Sequence, residues 1–247
     1  MKARESSKRI VLFVITGIFV IGVVSTSSRG GFLGLVAVGL YCWYKSPRKL
    51  ASTFSIGLLI LAMLLLAPES YWQRLQTIQW EVLDGSTDGS GGDRLHSWKA
   101  AWDMFLDHPV LGVGPQNYPW NVEPYEGPEG YMGRFHGGRV AHSLYFTLLP
   151  ELGMVGIVLF GGMLYYILRD LRFVRRYDLA KSIRVVHSGT EESVYLSLTL
   201  TASLIGLLVN GAFISVLYYP SFWILMGFVV ALRKVSALEY DNHLTPH

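Results

Sequence analysis

Residues 142–168 read HSLYFTLLPELGMVGIVLFGGMLYYIL, and this stretch decides the class of fold. Glu151 is its one acidic residue, and the run is long enough to cross the roughly 30 Å apolar core of a bilayer as a helix. Basic residues follow at 169–184, as expected at the cytoplasmic end of a span. We therefore expect a membrane helix here.

The composition of the whole chain agrees with this prediction. Of 247 residues, 51% are apolar and 16% are charged, and the mean hydropathy is +0.35. This is too apolar for an ordinary soluble domain, so we predict an all-α polytopic membrane protein. The one cysteine, Cys42, excludes a disulfide within the chain. The net charge of +3 is small, which makes nucleic-acid binding a poor interpretation.

Apolar segments predict about six transmembrane helices and one large loop outside the membrane. The segments are Ile10–Val24, Gly30–Tyr44, Phe54–Ala67, His142–Leu168, Val194–Leu217 and Ser221–Leu232. Several are shorter than the roughly twenty residues of an ideal span and must recruit flanking residues. The predicted domains are an N-terminal three-helix part (1–67), the loop (68–141), a C-terminal three-helix part (142–232) and a tail (233–247).

The basic residues predict the orientation. With the N-terminus in the cytoplasm, fifteen of the twenty-one Lys and Arg residues lie inside, and both termini are cytoplasmic. The six that remain outside are Arg29, Arg74, Arg94, Lys99, Arg134 and Arg139. A rival interpretation treats residues 1–28 as a cleaved signal peptide, but the apolar core is long and no Ala-x-Ala precedes a plausible cut. In both cases the loop faces the periplasm or the cell exterior.

The loop contains an amphipathic helix and an irregular segment. Leu95, Trp98, Trp102, Phe105 and Leu106 recur at helical spacing, which predicts an apolar face. We expect Asp93 as the N-cap and Pro109 as the stop. Two tryptophans suit a position at the lipid interface or against the transmembrane bundle. Residues 115–139 are rich in Pro, Gly, Tyr and acidic residues, which predicts an ordered but irregular lid, with side chains of the kind that contact sugars.

Four sets of residues occur in a recognisable order around this loop. They are Ser27–Gly31, Gly92–Arg94 with Trp98, His108–Gly114, and His142–Tyr145 followed by Glu151–Gly156. In this order and spacing the chain resembles the O-antigen ligase-like family. That family contains O-antigen ligases, O-antigen and exopolysaccharide polymerases, and protein O-oligosaccharyltransferases of bacterial envelopes. The resemblance implies a membrane fold of the C-type glycosyltransferases.

The resemblance also implies an activity at the outer face of the bacterial inner membrane. A glycan is moved from an undecaprenyl diphosphate carrier to a hydroxyl of an acceptor, which is lipid A-core, a growing polysaccharide or a protein. No cofactor is implied, so fixed cations must hold the diphosphate, and guanidinium groups pair well with phosphate oxygens. Arg29 and Arg94 match the family's arginines. The alternatives are a topology anchor for Arg29 and a solvated helix charge for Arg94.

His142 matches the family's histidine, which implies the general base that takes the acceptor proton. A helix start near Ala141 would place His142 in the first turn, where the helix dipole favours the neutral ring and free amides could bind phosphate. His136 and His142 lack the spacing and the third ligand of a metal site, so we predict none.

Four further residues are predicted to bind substrate. Arg139 adds positive potential near His142, and Trp98 and Tyr145 belong to the matched motifs. Glu151 lies inside an apolar segment, where its carboxylate needs a partner such as Arg29 or a water-filled cleft. Structural pairing is the alternative role of Glu151, and it is the one we favour.

The chain departs from the family in its number of spans. Family members generally have many more, and several of them precede the motif matched here at Ser28. The chain matches a C-terminal portion of the family, so we expect one of three cases. It is a fragment, it works with a separate N-terminal membrane half as a partner, or it has lost activity while keeping the fold. The other functions that fit are a non-catalytic membrane scaffold and a component of a polysaccharide transporter. The sequence contains no internal repeat and almost no mid-span charge, which argues against transport.

Overall fold

The computed structural model describes residues 2–26, 28–66, 90–127, 137–182 and 190–244, and every one of its regular elements within these ranges is helical. The chain divides into two compact units, residues 1–89 and residues 90–247. These units differ from the predicted domains, because the loop helices belong to the same unit as the C-terminal helices.

The first unit contains the helices α1 (Lys2–Ser25), α2 (Arg29–Lys45) and α3 (Lys49–Leu66). In chain order, each of these helices packs against the next one. The turn between α2 and α3 is closed by Lys49, whose ammonium donates to the carbonyls of Trp43 (2.6 Å) and Tyr44 (2.7 Å). A cation at the carboxyl end of α2 satisfies carbonyls that have no partner inside the helix.

The second unit begins with the elements of the loop. They are α4 (Ser90–Asp107), the short α5 (Tyr118–Asn121) and a 3₁₀ turn (Glu123–Tyr125). The long helices α6 (Leu144–Ser182), α7 (Thr190–Gly211) and α8 (Pro220–Leu244) follow. All three long helices pack against one another, and α4 and α5 pack on α6.

Two apolar cores hold this unit together. The larger lies between α6, α7 and α8 and includes Leu144, Leu171, Leu204, Phe222 and Val229. The smaller lies under the loop and consists of Ala100, Ala101, Met104, Tyr118, Val122 and Ala141. The described part of the loop, residues 90–127 and 137–141, therefore has a buried core of its own.

Among the described residues, three helical stretches are long and apolar enough to cross a membrane: Leu144–Arg176, Ser193–Gly211 and Pro220–Leu238. Val11–Val23 is a shorter apolar helix. A helical membrane protein is thus confirmed, whereas the full set of six spans stays a prediction.

The predicted ends of the C-terminal spans were less accurate. The fourth begins at Leu144 rather than His142, the fifth ends at Gly211 rather than Leu217, and the sixth continues to Leu244. The sixth was cut short because its apolar run stops before Arg233. The backbone stays helical beyond it, and the Arg233 guanidinium lies 3.6 Å over the ring of Phe173.

Helix α4 corrects one further prediction. It begins at Ser90, so Asp93 lies within its first turn and is not the N-cap. Its buried face consists of Ser97, Ala100, Ala101, Met104 and Phe105, while Leu95, Trp102 and Leu106 are exposed. The small residues of this face, Ser97, Ala100 and Ala101, let α4 approach its neighbours closely.

Candidate active site

The site is built around a break in helix α6. At Gly153 the backbone is not helical (φ 60°, ψ −159°), and Pro150 lies three residues earlier. A break of this kind leaves carbonyl and amide groups without helical partners. Such groups must find partners elsewhere, particularly near the membrane, where water is scarce.

Residues 109–114 supply those partners, and we call their pairing with residues 150–155 the interlock. Two amides of the loop donate to carbonyls freed by the break, and two amides of α6 donate back. The bonds are Val113 N to Pro150 O (2.8 Å), Gly114 N to Glu151 O (2.9 Å), Met154 N to Pro109 O (2.8 Å) and Val155 N to Val110 O (3.1 Å). The interlock therefore joins two of the four motifs seen in the sequence.

Two glycines make this approach possible. Gly112 (φ 67°) and Gly153 (φ 60°) both adopt a left-handed backbone conformation, which is unfavourable for residues that carry a side chain. A β-carbon on Gly112 would overlap the carbonyl group of Glu151. One on Gly153 would lie 2.5 Å from the carbonyl oxygen of Val110. Each glycine thus faces the other motif's backbone with no room for a side chain.

The Glu151 carboxylate is buried beside the interlock, with 2% of the residue exposed. It accepts hydrogen bonds from the amides of Gln116 (2.8 Å) and Tyr118 (3.2 Å) and from the hydroxyl of Tyr218 (2.6 Å). Three donors compensate a carboxylate for the loss of water. These donors are two amides and a phenol rather than the cation or the water-filled cleft that we expected. The arrangement favours a structural role for Glu151.

The two tyrosines around Glu151 are held in their neutral form. Burial raises the pKa of Tyr118, and the Glu126 carboxylate raises it further. Burial also raises the pKa of Tyr218, and so does its hydrogen bond to Glu151. Both phenols can therefore act as donors at any physiological pH. These two contacts could not be predicted from local sequence patterns, because the partners lie 33 and 67 residues from Glu151.

His142 lies just before α6 and not in its first turn. Ser143 precedes the first helical residue, and its side chain accepts weakly from the amide of Phe146 (3.4 Å). His142 itself is exposed and has a left-handed backbone (φ 50°). The expectation of a histidine within the helix was therefore wrong by about half a turn.

Trp98 fixes the backbone next to His142. Its indole N–H donates to the carbonyl of Ala141 (2.9 Å), and its ring stacks on Phe146 at 5.0 Å between centroids. Ala141 itself is fully buried. Trp98 is thus bonded to the residue directly before His142, through a contact between residues 43 positions apart.

Arg94 and Arg139 lie in different parts of the second unit. Arg94 lies one helical turn before Trp98 and on the same face of α4, and its side chain is partly buried. Arg139 is exposed, three residues before His142. Within the described ranges, neither side chain forms an ion pair or a hydrogen bond. Both guanidinium groups are therefore available to an anion.

Tyr145 and Arg29 are the remaining predicted residues. The Tyr145 hydroxyl donates to the carbonyl of Leu208 (3.0 Å), which ties α6 to α7. Arg29 is the first residue of α2 in the other unit, and its side chain lies outside the described part of the chain. Ser28 caps that helix by accepting from the amide of Gly31 (3.2 Å). Among the described residues, no group of three or more His, Cys, Asp or Glu side chains could hold a metal ion.

Comparison with known proteins gives a match to one family profile. The profile of the family described as O-antigen ligase matches residues 12–161, which is 150 of the 247 residues. No curated protein and no solved structure matches the chain. The matched range includes Arg29, Arg94 and His142 and extends past the break at Gly153.

Proposed function

The chain belongs to the O-antigen ligase family, and from this premise we propose that it transfers a glycan from an undecaprenyl diphosphate carrier to an acceptor hydroxyl. The family's activity is glycan transfer of the ligase or polymerase type in the assembly of envelope polysaccharides. The carrier, the orientation in the bacterial inner membrane and the roles of individual residues are parts of our proposal.

In the proposed reaction, His142 is the general base. It takes the proton of the acceptor hydroxyl as that oxygen attacks the anomeric carbon of the donor glycan. The bond from the anomeric carbon to the diphosphate breaks, and undecaprenyl diphosphate leaves with the electron pair. The exposed position of His142 supports this role, because an acceptor can reach the ring from outside.

Arginines hold the diphosphate in this proposal. Arg94 has no ion-pair partner within the described ranges and is partly buried, so a phosphate would compensate its lost hydration. Arg139 adds positive potential close to His142. Arg29 is assigned the same role on the strength of its motif alone.

An apolar groove of about 370 Å³ suits the carrier's isoprenoid tail. Helices α6 and α8 and the loop of the interlock form its walls, with Leu111, Phe160 and Trp223 among the lining residues. Tyr218, which binds Glu151, also lines it. A lipid tail in this groove would therefore lie beside the interlock.

The observation that carries the proposal is the backbone of His142. A residue other than glycine at φ 50° is strained, and such strain persists only where neighbours enforce it. Here the neighbours are the indole of Trp98 on one side and the helix start at Ser143 on the other. Strained residues cluster at active sites, and this one is a histidine.

The test is glycan transfer by the purified full chain in nanodiscs, with undecaprenyl diphosphate glycan as donor. We expect His142→Ala to lower kcat by about 100-fold or more, because a general base is lost. Arg94→Ala should also lower turnover, and Arg94→Lys should restore part of it, since the charge returns without the planar fork.

The matched control is His108→Ala, since His108 is an exposed histidine at the end of α4. It should turn over like wild type. Wild-type turnover in both His142→Ala and Arg94→Ala would refute the assigned roles. A well-folded wild-type chain that transfers no glycan would refute the proposed activity for this chain.

A further inference from the structure

A second cleft lies in the loop, away from the apolar groove. Its volume is about 400 Å³, and it is lined by Pro119, Trp120, Glu123, Gly137 and Gly138. One wall is formed by α5 and the 3₁₀ turn, and the other by the segment that leads to His142. The cleft therefore adjoins the chain that carries the proposed base.

The wall that bears Trp120 is firmly anchored. Tyr118 is 1% exposed, and its hydroxyl donates to the carbonyl of Ser97 (2.9 Å). Its amide donates to Glu151, and Val122 is fully buried on the other side of the short helix. The opposite wall is attached through the amide of Gly138, which donates to the carbonyl of Pro119 (2.8 Å).

Trp120 nevertheless points outward from this rigid base, and 78% of it is exposed. Tyr118 and Val122, two residues away on either side, are buried, so the fold fixes the backbone of Trp120 while leaving its ring uncovered. Covering a large apolar ring with a ligand is favourable, and the backbone that carries this ring needs no further ordering on binding.

Glu123 supplies the polar contact of the cleft. Its Oε2 atom faces Gly137, where an added β-carbon would lie 3.9 Å away. A carboxylate only accepts hydrogen bonds, so it selects ligands that carry donors such as hydroxyl groups. It also repels phosphate, which argues against the donor's diphosphate and against a lipid headgroup at this position.

We infer that this cleft binds a pyranose ring of a glycan acceptor, with Trp120 stacked on the apolar face of the sugar and Glu123 accepting from its hydroxyl groups. The inference rests on the proposed function, because it assigns the acceptor side of that reaction. Gly138 is four residues from His142, so their α-carbons are at most about 14 Å apart. One glycan chain can therefore occupy the cleft and reach the base.

The first experiment measures binding without turnover. The full chain in detergent is titrated by calorimetry with oligosaccharide released by mild acid from the host's polyprenyl diphosphate glycans. Wild type should bind it, and Trp120→Ala should raise Kd about tenfold through loss of the covered ring. Gly137→Leu, which fills the cleft and leaves Trp120 and Glu123 in place, should have a similar effect. Glu123→Gln should weaken binding less.

Trp102→Ala is the matched control, because Trp102 is also an exposed tryptophan of the second unit but lies on α4 outside the cleft. It should bind like wild type. The kinetic counterpart is a higher KM for the acceptor in Trp120→Ala, with the KM for the donor unchanged.

The outcomes separate this inference from the proposed function. Binding that depends on Trp120 in a chain that transfers no glycan supports the cleft and contradicts the activity. Transfer with an unchanged acceptor KM in Trp120→Ala and Gly137→Leu supports the activity and overturns the cleft. An absence of binding by wild type also overturns the assignment of the cleft. So does a Trp120→Ala variant that binds the oligosaccharide like wild type and differs only in a weaker partition into lipid vesicles.

Discussion

At Gly153 the backbone of α6 leaves the helical conformation, and the carbonyl of Val110 occupies the space where a side chain would begin. In the loop segment of the interlock, a side chain on Gly112 would likewise overlap a backbone carbonyl, that of Glu151. The sequence showed that glycines occur in both motifs, but a glycine has no side chain that could indicate its partner. The role of each glycine, which is to allow close approach of the two backbones, depends on where the other backbone lies.

The interlock predicts that Gly153→Ala is strongly destabilising. The left-handed backbone alone costs about 1–3 kcal/mol, and the overlap with Val110 adds to it. Gly127→Ala is the matched control, because Gly127 also has a positive φ (83°) but has open space around it. We expect a large drop in melting temperature for Gly153→Ala and a small one for Gly127→Ala, measured by circular dichroism in detergent. Equal drops would contradict the interlock.

Helix α4 shows what periodicity can and cannot determine. The spacing of apolar residues correctly predicted a helix that ends before Pro109. The predicted apolar face, which we expected at the lipid interface or against the bundle, is only partly buried within the fold, at Phe105. The buried face is built from Ala100, Ala101 and Met104, and Trp102 and Leu106 remain exposed. In a membrane protein an apolar side chain can face lipid as readily as the core, so hydrophobicity alone does not identify the packed face.

This packing predicts that α4 tolerates larger side chains on its exposed face but not on its buried face. Ala101→Leu should destabilise the unit by about 1–3 kcal/mol, because the site is fully buried and already filled. Lys99→Leu introduces the same side chain at an exposed position and should change stability by less than about 0.5 kcal/mol. Thermal unfolding in one detergent compares the two variants. A milder effect at Ala101 than at Lys99 would mean that this face is assigned wrongly.

At the scale of the molecule, the second unit separates its charged end from its site. Arg233 of α8 approaches Asp170 of α6 at 3.8 Å, so these two helices reach the same end. At their other end, Tyr218 contacts Glu151. The described basic residues near these positions, between 169 and 176 and at 233 and 234, therefore lie at the end away from the interlock. The orientation that we predicted from charge places this end in the cytoplasm.

The orientation can be tested by labelling with a maleimide that does not cross membranes. In a Cys42→Ser background, Asn121→Cys should react in intact spheroplasts, because Asn121 is an exposed residue of the loop. Leu238→Cys, an exposed residue near the end of α8, should react only after permeabilisation. The reverse pattern would place the loop in the cytoplasm and remove the basis for a reaction at the outer face.

The sequence by itself determined that this is a helical membrane protein of the O-antigen ligase family, and it singled out the motifs around the loop. Composition, helical periodicity and motif order are properties of short stretches, so they can be read without the fold. Only the tertiary structure decided that two motifs interlock, that Glu151 binds amides and a phenol, and that Trp120 is left uncovered. Those features depend on contacts between residues tens of positions apart. A backbone hydrogen bond can form between residues of almost any type, so the side chains in the sequence do not indicate its partners.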